Sequence, residues 1–306
     1  PPQGGCLLIT DIKMTINSKM AWRNIWRNPR RSALTIAAIS FAGLLLVFMF
    51  SFQFGSYAAM VNSSVKISTG HLQILADGYH DNQDIRRIIP NPKSLGKILD
   101  DIPRIEAFTC RAETFSLASS EKRTYGVLVT GIDPGQEANV STIKNLIRKG
   151  SYLSPGGDRE QAVLGEKLAE NLKIGVGDEV TLLGQGRDGS VAATVLKVKG
   201  LFRSGIDEMD RSTMYMRLNT FQEVYFMEDS VHRIVINAYK LDQVSMIKKQ
   251  LNRKLNTLNT GKQLEVLTWG ELNPGLPQSI KLDIISGVIW YLFLIMVVAF
   301  SIMNTF

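Results

Sequence analysis

The sequence predicts an integral-membrane helical chain that carries one large mixed α/β domain outside the membrane. Three observations predict it. Residues 32–65 and 284–306 are uncharged and strongly apolar. Basic residues gather just before the first of these stretches. The region between them alternates between short strand-like and helix-like patterns. Each apolar stretch is long enough to cross a bilayer, because about 20 apolar residues at 1.5 Å rise span roughly 30 Å of hydrocarbon.

Composition alone hides this. With 306 residues, 45% of them hydrophobic, the chain could form one or two ordinary globular domains, and its mean hydropathy is near zero. The position of the charge is more informative. Lys13, Lys19, Arg23, Arg27, Arg30 and Arg31 stand against Asp11 alone, so about +5 of the +7 net charge precedes the first apolar stretch. A basic cluster abutting a span is a topology signal rather than a nucleic-acid surface. The amino end is therefore expected in the cytoplasm and the large insert on the other side, with no nucleic-acid partner. On that topology Cys6 and Cys110 lie on opposite sides of the membrane and cannot pair within the chain. Gly4-Gly5-Cys6 lacks the preceding apolar run of a lipoprotein signal. Residues 1–13 are read as an unassigned or artificial leader, because Met14 opens the stretch that makes physical sense.

Residues 14–31 read as a cytoplasmic elbow helix at the membrane surface. Lys19, Arg23, Arg27 and Arg31 recur at four-residue spacing beside Trp22 and Trp26, and Arg30 extends the basic end. Indole rings and cationic side chains are both accommodated among headgroups. Pro29 lacks the amide hydrogen a continuing helix needs and predicts a bend. Residues 32–65 form the first span and a stalk, since a helix reaching Lys66 would measure about 50 Å. Ala33, Ala37, Ser40 and Gly43 share one side, which permits close helix approach. Phe41, Leu45, Phe48 and Phe52 form a bulky stripe nearby, for lipid, helix packing or a greasy substrate cavity.

Residues 66–281 form the insert. Strands are expected over 67–75, 105–118, 125–132, 179–183, 191–202, 214–218, 231–239 and 264–267, and helices over 93–100, 160–172, 220–226 and 242–255. Asp133-Pro134-Gly135 reads as a turn. Two small lobes with a boundary between residues 133 and 154 would fit the alternation. Residues 282–306 form the second span and run into the end of the sequence, so the chain is read as a piece of a larger membrane protein.

Several chemistries find no support in the motifs. Gly184-Gln185-Gly186-Arg187-Asp188-Gly189 matches the dinucleotide fingerprint in letters only, because β-branched residues rather than a helix follow it, and a hairpin turn is expected. No Walker A sequence occurs, so any nucleotide-driven work falls to a partner. His71, His80 and His232 are too scattered for a zinc site. Asp207-Glu208-Met209-Asp210 beside Arg203 and Arg211 reads as a solvated loop with local ion pairing. No nucleophile elbow appears. No catalytic, cofactor or metal site is assigned.

The order of elements carries a resemblance. Met20-Ala-Trp-Arg-Asn-Ile-Trp-Arg-Asn-Pro-Arg-Arg-Ser-Ala-Leu-Thr-Ile-Ala-Ala-Ile39 resembles the elbow helix and first span of ABC-transporter permeases of the FtsX/MacB superfamily, with the character of lipoprotein-releasing permeases. Val163-Leu164-Gly165-Glu166-Lys167-Leu168-Ala169 followed by Val176-Gly177-Asp178-Glu179-Val180 resembles a recurrent insert motif of that group. Thr268-Trp269-Gly270-Glu271-Leu272-Asn273-Pro274 is similar to its return into the second span, and Ser301 to Thr305 to that span's end. The resemblance implies four spans in the full protein and an extracytoplasmic domain of two lobes, Porter and Sabre. It implies a second permease copy or paralogue and cytoplasmic ABC ATPase subunits that hold the ATP and Mg, in a bacterial inner membrane. It further implies extraction of lipoproteins or another amphiphile by motion transmitted through long helices. Chaperone-recruiting relatives carry a longer, proline-containing loop where this chain has residues 184–189. A macrolide or peptide exporter of the same superfamily, a two-span sensor receptor and a membrane-tethered enzyme are the alternatives.

Overall fold

The computed structural model describes Arg23, Trp26, residues 28–257 and residues 263–305. It divides into two compact units, one spanning Val61–Leu276 and the other comprising the described parts of Pro1–Met60 and Pro277–Phe306.

In chain order, helix α1 (Pro29–Ser64) passes through a π-helical turn (Val65–Thr69) into strand β1 (Leu72–Ala76), then β2 (Ile89–Pro90) and α2 (Pro92–Asp100). The long strands β3 (Ile105–Ser119) and β4 (Thr124–Ile132) follow, with α3 (Pro134–Val140), β5 (Ile147–Gly150), β6 (Gln161–Gly165) and α4 (Glu166–Leu172). The hairpin β7 (Glu179–Gln185) and β8 (Val191–Phe202) precedes α5 (Asp207–Ser212), β9 (Thr213–Arg217) and α6 (Leu218–Val224). Then come β10 (Ser230–Val231), β11 (Arg233–Ala238), α7 (Val244–Thr257), β12 (Leu264–Thr268), α8 (Trp269–Leu272) and α9 (Gly275–Thr305).

One mixed sheet runs β12-β1-β11-β3-β4-β9-β6-β8-β5, and β7 pairs with both β3 and β8. That double pairing closes β3, β4, β9, β6, β8 and β7 into a six-stranded barrel, which removes the edges those strands would otherwise expose. Val127, Val129, Val180, Leu182 and Leu196 fill it together with Leu168, Leu172 and Phe221 from α4 and α6. The open wing of the sheet, β11, β1 and β12, buries Leu72, Ile74, Ile234 and Ile236 against Leu95 and Leu99 of α2 and Ile247 and Leu251 of α7.

The domain therefore has two lobes with separate cores, but the expected cut between residues 133 and 154 is wrong. The chain crosses from the wing to the barrel within β3 and returns near Met227, so the barrel lobe is an insertion into the wing lobe. Three local expectations also change. Residues 67–69 belong to the π-helical turn rather than a strand, and Gly70 ends it at φ +66°, where a Cβ would lie 2.4 Å from Val235 Cγ1. The leucine spacing of 160–172 suggested one helix, yet Gln161–Gly165 is a buried strand paired on both sides. Such a strand lacks alternation and is easily mistaken for a buried helix. Asp133 begins a helix rather than a simple turn: its Oδ1 accepts from the amides of Gly135 at 2.8 Å and Gln136 at 3.1 Å, with Pro134 in the first turn.

α1 and α9 are each long and apolar enough to cross a membrane, and nearly all their large apolar side chains are exposed. Pro29 opens α1, where its missing amide costs nothing, after a bend at Asn28. The rest of the elbow lies outside the described residues apart from Arg23 and Trp26, which are both helical.

Candidate functional site

The membrane helices carry the first group of candidate residues. Phe41, Leu45, Phe48 and Phe52 form one exposed stripe along α1, and the Phe48 and Phe52 rings stack at 6.2 Å between centroids. Arg23, Trp26, Arg30 and Arg31 are exposed, while Trp22 and Arg27 fall outside the described residues. The sequence reading missed a polar cluster joining α1 to α9. The Tyr57 hydroxyl donates to the Asp283 carboxylate, and Gln53 Nε2 reaches the same oxygen at 3.2 Å. The Tyr291 hydroxyl donates to Gln53 Oε1 at 2.9 Å, and its ring lies 4.2 Å from that of Phe50. Gly287 faces Gln53, where a Cβ would come within 3.2 Å of the amide. Polar side chains inside an apolar helix were the available signal, since they cost free energy unless they find partners across a helix pair.

The second group lies in the large domain. Arg111 on β3 donates to Glu137 on α3 through two nitrogens, at 3.0 and 2.6 Å, and both residues are buried. Burial opposes the guanidinium charge, but the Glu137 carboxylate more than offsets it and holds the pKa above the ordinary arginine value. Nearby, His232 accepts the Glu113 amide on Nδ1 at 2.8 Å, and its Nε2 lies 3.1 Å from the Ile85 carbonyl. Its ring stacks on Tyr79 at 5.0 Å, and Arg233 pairs with Glu113. Burial lowers the His232 pKa to about 4, so the ring is neutral.

A cleft of about 470 Å³ opens between α2 and the starts of α3 and α6, lined by Lys93, Lys97, Phe108, Cys110, Asp133 and Arg217 among others. Burial pushes the Cys110 thiol up to about 12, with Asp133 and Asp229 adding to the effect. It therefore stays protonated and is a poor nucleophile. Among the described residues, no group of three or more His, Cys, Asp or Glu could hold a metal.

The stretches that carried the resemblance prove to be structural units. Residues 161–185 form strand, helix, turn and strand. Glu166 is buried there and accepts from Arg203 at 2.5 Å, and Asp178 Oδ2 accepts the Gly175 amide at 2.8 Å. Asp207 pairs with Lys167 and Arg211 on a short helix rather than a loop, and buried Asp210 accepts from Ser204 at 2.7 Å. Residues 184–189 make a hairpin turn, as expected. Thr268 and Glu271 form a capping box that opens α8, and Lys248 holds the Glu271 carboxylate at 2.6 Å.

Residues 32–254 match the model of the MacB-like periplasmic core domain family. The chain belongs to that family. The resemblance read from the sequence is thus borne out at the level of the superfamily. Among curated proteins, this MacB-like chain is similar to two copies of the lipoprotein-releasing system transmembrane protein LolC. These come from Xylella fastidiosa strains 9a5c and Temecula1 and are 29% and 28% identical over 188 residues, or 59% of this chain and 43% of each relative. It thus aligns with less than half the length of those relatives. The periplasmic region of MacB from Actinobacillus actinomycetemcomitans shares the fold at a TM-score of 0.51 and 16% identity, covering 71% of this chain and 94% of that one. A MacB-like domain flanked by two apolar helices is the architecture anticipated from the sequence.

Proposed function

We propose that this chain is part of the permease subunit of an ATP-driven ABC transporter, which mobilises lipoproteins or another amphiphile at the outer face of a bacterial inner membrane. The observation that carries the reading is the match of a MacB-like periplasmic core domain across residues 32–254, a range that takes in most of the first apolar helix and ends before the second. The similarity to LolC supports lipoprotein as the cargo. ATP and Mg are assigned to cytoplasmic ATPase partners, and a second permease copy or paralogue completes the membrane part. The amino end, with its basic cluster, faces the cytoplasm. Transmission runs along α1, which continues through the π-helical turn into β1 without an intervening loop longer than Gly70 and His71.

The test is purification of the protein in nanodiscs, followed by mass spectrometry of everything that accompanies it. A co-purifying ABC ATPase with bound lipoprotein is expected. An ATPase carrying a different amphiphile would replace the cargo, and an intact preparation with no ATPase would overturn the transporter reading.

A further inference from the structure

A cavity of about 190 Å³ lies beside β1, lined by Thr69, Gln73, His80, Gln83, Arg233 and Asn273 among others. A single water needs roughly 15 Å³ of such space, so a larger polar group fits. Thr69 and Asn273 belong to the two segments by which the chain enters and leaves the domain, and Asn273 Nδ2 donates to Thr69 Oγ1 at 3.2 Å. The cavity therefore stands, along the chain, next to both connections to the apolar helices.

Two buried polar atoms in its lining are unsatisfied. Gln73 is 1% exposed, and its Nε2 donates to the Thr69 carbonyl at 2.7 Å. Its Oε1 has no hydrogen-bond partner among the described residues. Arg233 engages Glu113 through Nη2, and its buried Nε likewise has no partner among them. A buried orphan of either kind costs free energy unless something supplies the missing bond. The amide oxygen calls for an N–H or O–H donor, whereas the guanidinium N–H calls for an oxygen acceptor, best an anionic one. An ionised donor makes a stronger bond than a neutral one, which favours an ammonium.

We propose that the cavity holds a phosphoethanolamine group, with a phosphate oxygen accepting from Arg233 Nε and the primary ammonium donating to Gln73 Oε1. The group reaches the cavity either as the headgroup of a bilayer lipid or as a free solute. A quaternary choline has no N–H to offer Gln73 and is discriminated against. The inference does not rest on transport.

The 306-residue chain is reconstituted in nanodiscs of equal phosphatidylethanolamine and phosphatidylcholine, then released into native mass spectrometry. Retention of phosphatidylethanolamine over phosphatidylcholine by about tenfold is expected, the weight of one charge-assisted hydrogen bond. Gln73→Met keeps the volume, removes the acceptor and should bring the ratio to about one. A parallel measurement on the unaltered chain follows amide exchange over residues 69–75 with soluble phosphoethanolamine or phosphocholine. Slowing by phosphoethanolamine without retained lipid would confirm the group and assign it to a free solute. Equal retention of the two lipids with neither soluble compound slowing exchange overturns the proposal, as does a folded Gln73→Met chain that keeps the preference.

Discussion

His232 is held neutral by its surroundings, and this makes the domain sensitive to acid. Its Nδ1 must stay unprotonated to accept the Glu113 amide. The unfolded chain binds a proton there near pH 6.5, whereas the folded chain does so only at about 4. Its contribution to stability is complete above pH 6.5, falls by on the order of 3 kcal/mol as the pH drops toward 4, and levels off below. Melting temperatures from pH 7.5 to 4 should show this slope, and His232→Gln should flatten it. The Arg111 and Glu137 pair gives a second test. Arg111→Met leaves a buried carboxylate unpaired and should cost about 3–5 kcal/mol, while adding Glu137→Leu should recover most of that. Denaturant titration followed by circular dichroism reads both. Under the proposed permease function, charged residues in place of Phe48 and Phe52 on α1 should abolish substrate-stimulated ATP turnover in the assembled complex. Unchanged turnover would remove the stripe from any substrate path. Arg111 and Glu137 carry no signal in the sequence, because a strand and a helix bring them together from 26 residues apart, and His232 stood out there only as a scattered histidine.

At the scale of elements, the sequence was legible where a pattern is long or punctuated. The first apolar helix, the β7–β8 hairpin and α2 fall close to where they are expected, because each depends on residues within one element, and the second apolar helix begins earlier, at Gly275. The strand Gln161–Gly165 was not legible: it is buried on both faces, so it lacks the alternation that marks a strand, and its leucine continues the spacing of α4. The helix α3 was hidden behind its own cap, since Asp-Pro-Gly serves equally for a turn. That cap is testable. Asp133→Ala removes the acceptor of two helix amides and should destabilise the domain by about 1 kcal/mol, read as a lowered melting temperature. The polar cluster of Gln53, Tyr57, Asp283 and Tyr291 required knowing which residues of the two helices face each other.

For the large domain as a whole, its class was readable but its path was not. Alternating short elements indicate a mixed sheet, yet nothing local reveals that β3 serves two cores or that β7 closes a barrel. The pairing of the outermost wing strands has a mechanical consequence. β1 and β12 are antiparallel, and Leu72, where the chain enters, sits opposite Thr268, where it leaves. Pulling those two points apart loads the ladder one rung at a time, because its bonds lie perpendicular to the strands. The domain should therefore unzip at low force when handles at residues 66 and 281 are drawn apart in an optical trap. If the two connections move in step along the strands, the β1–β12 ladder is not sheared and the load passes to the β1–β11 ladder, where every rung shares it at once. The fold is soft to divergence and stiff to concerted displacement.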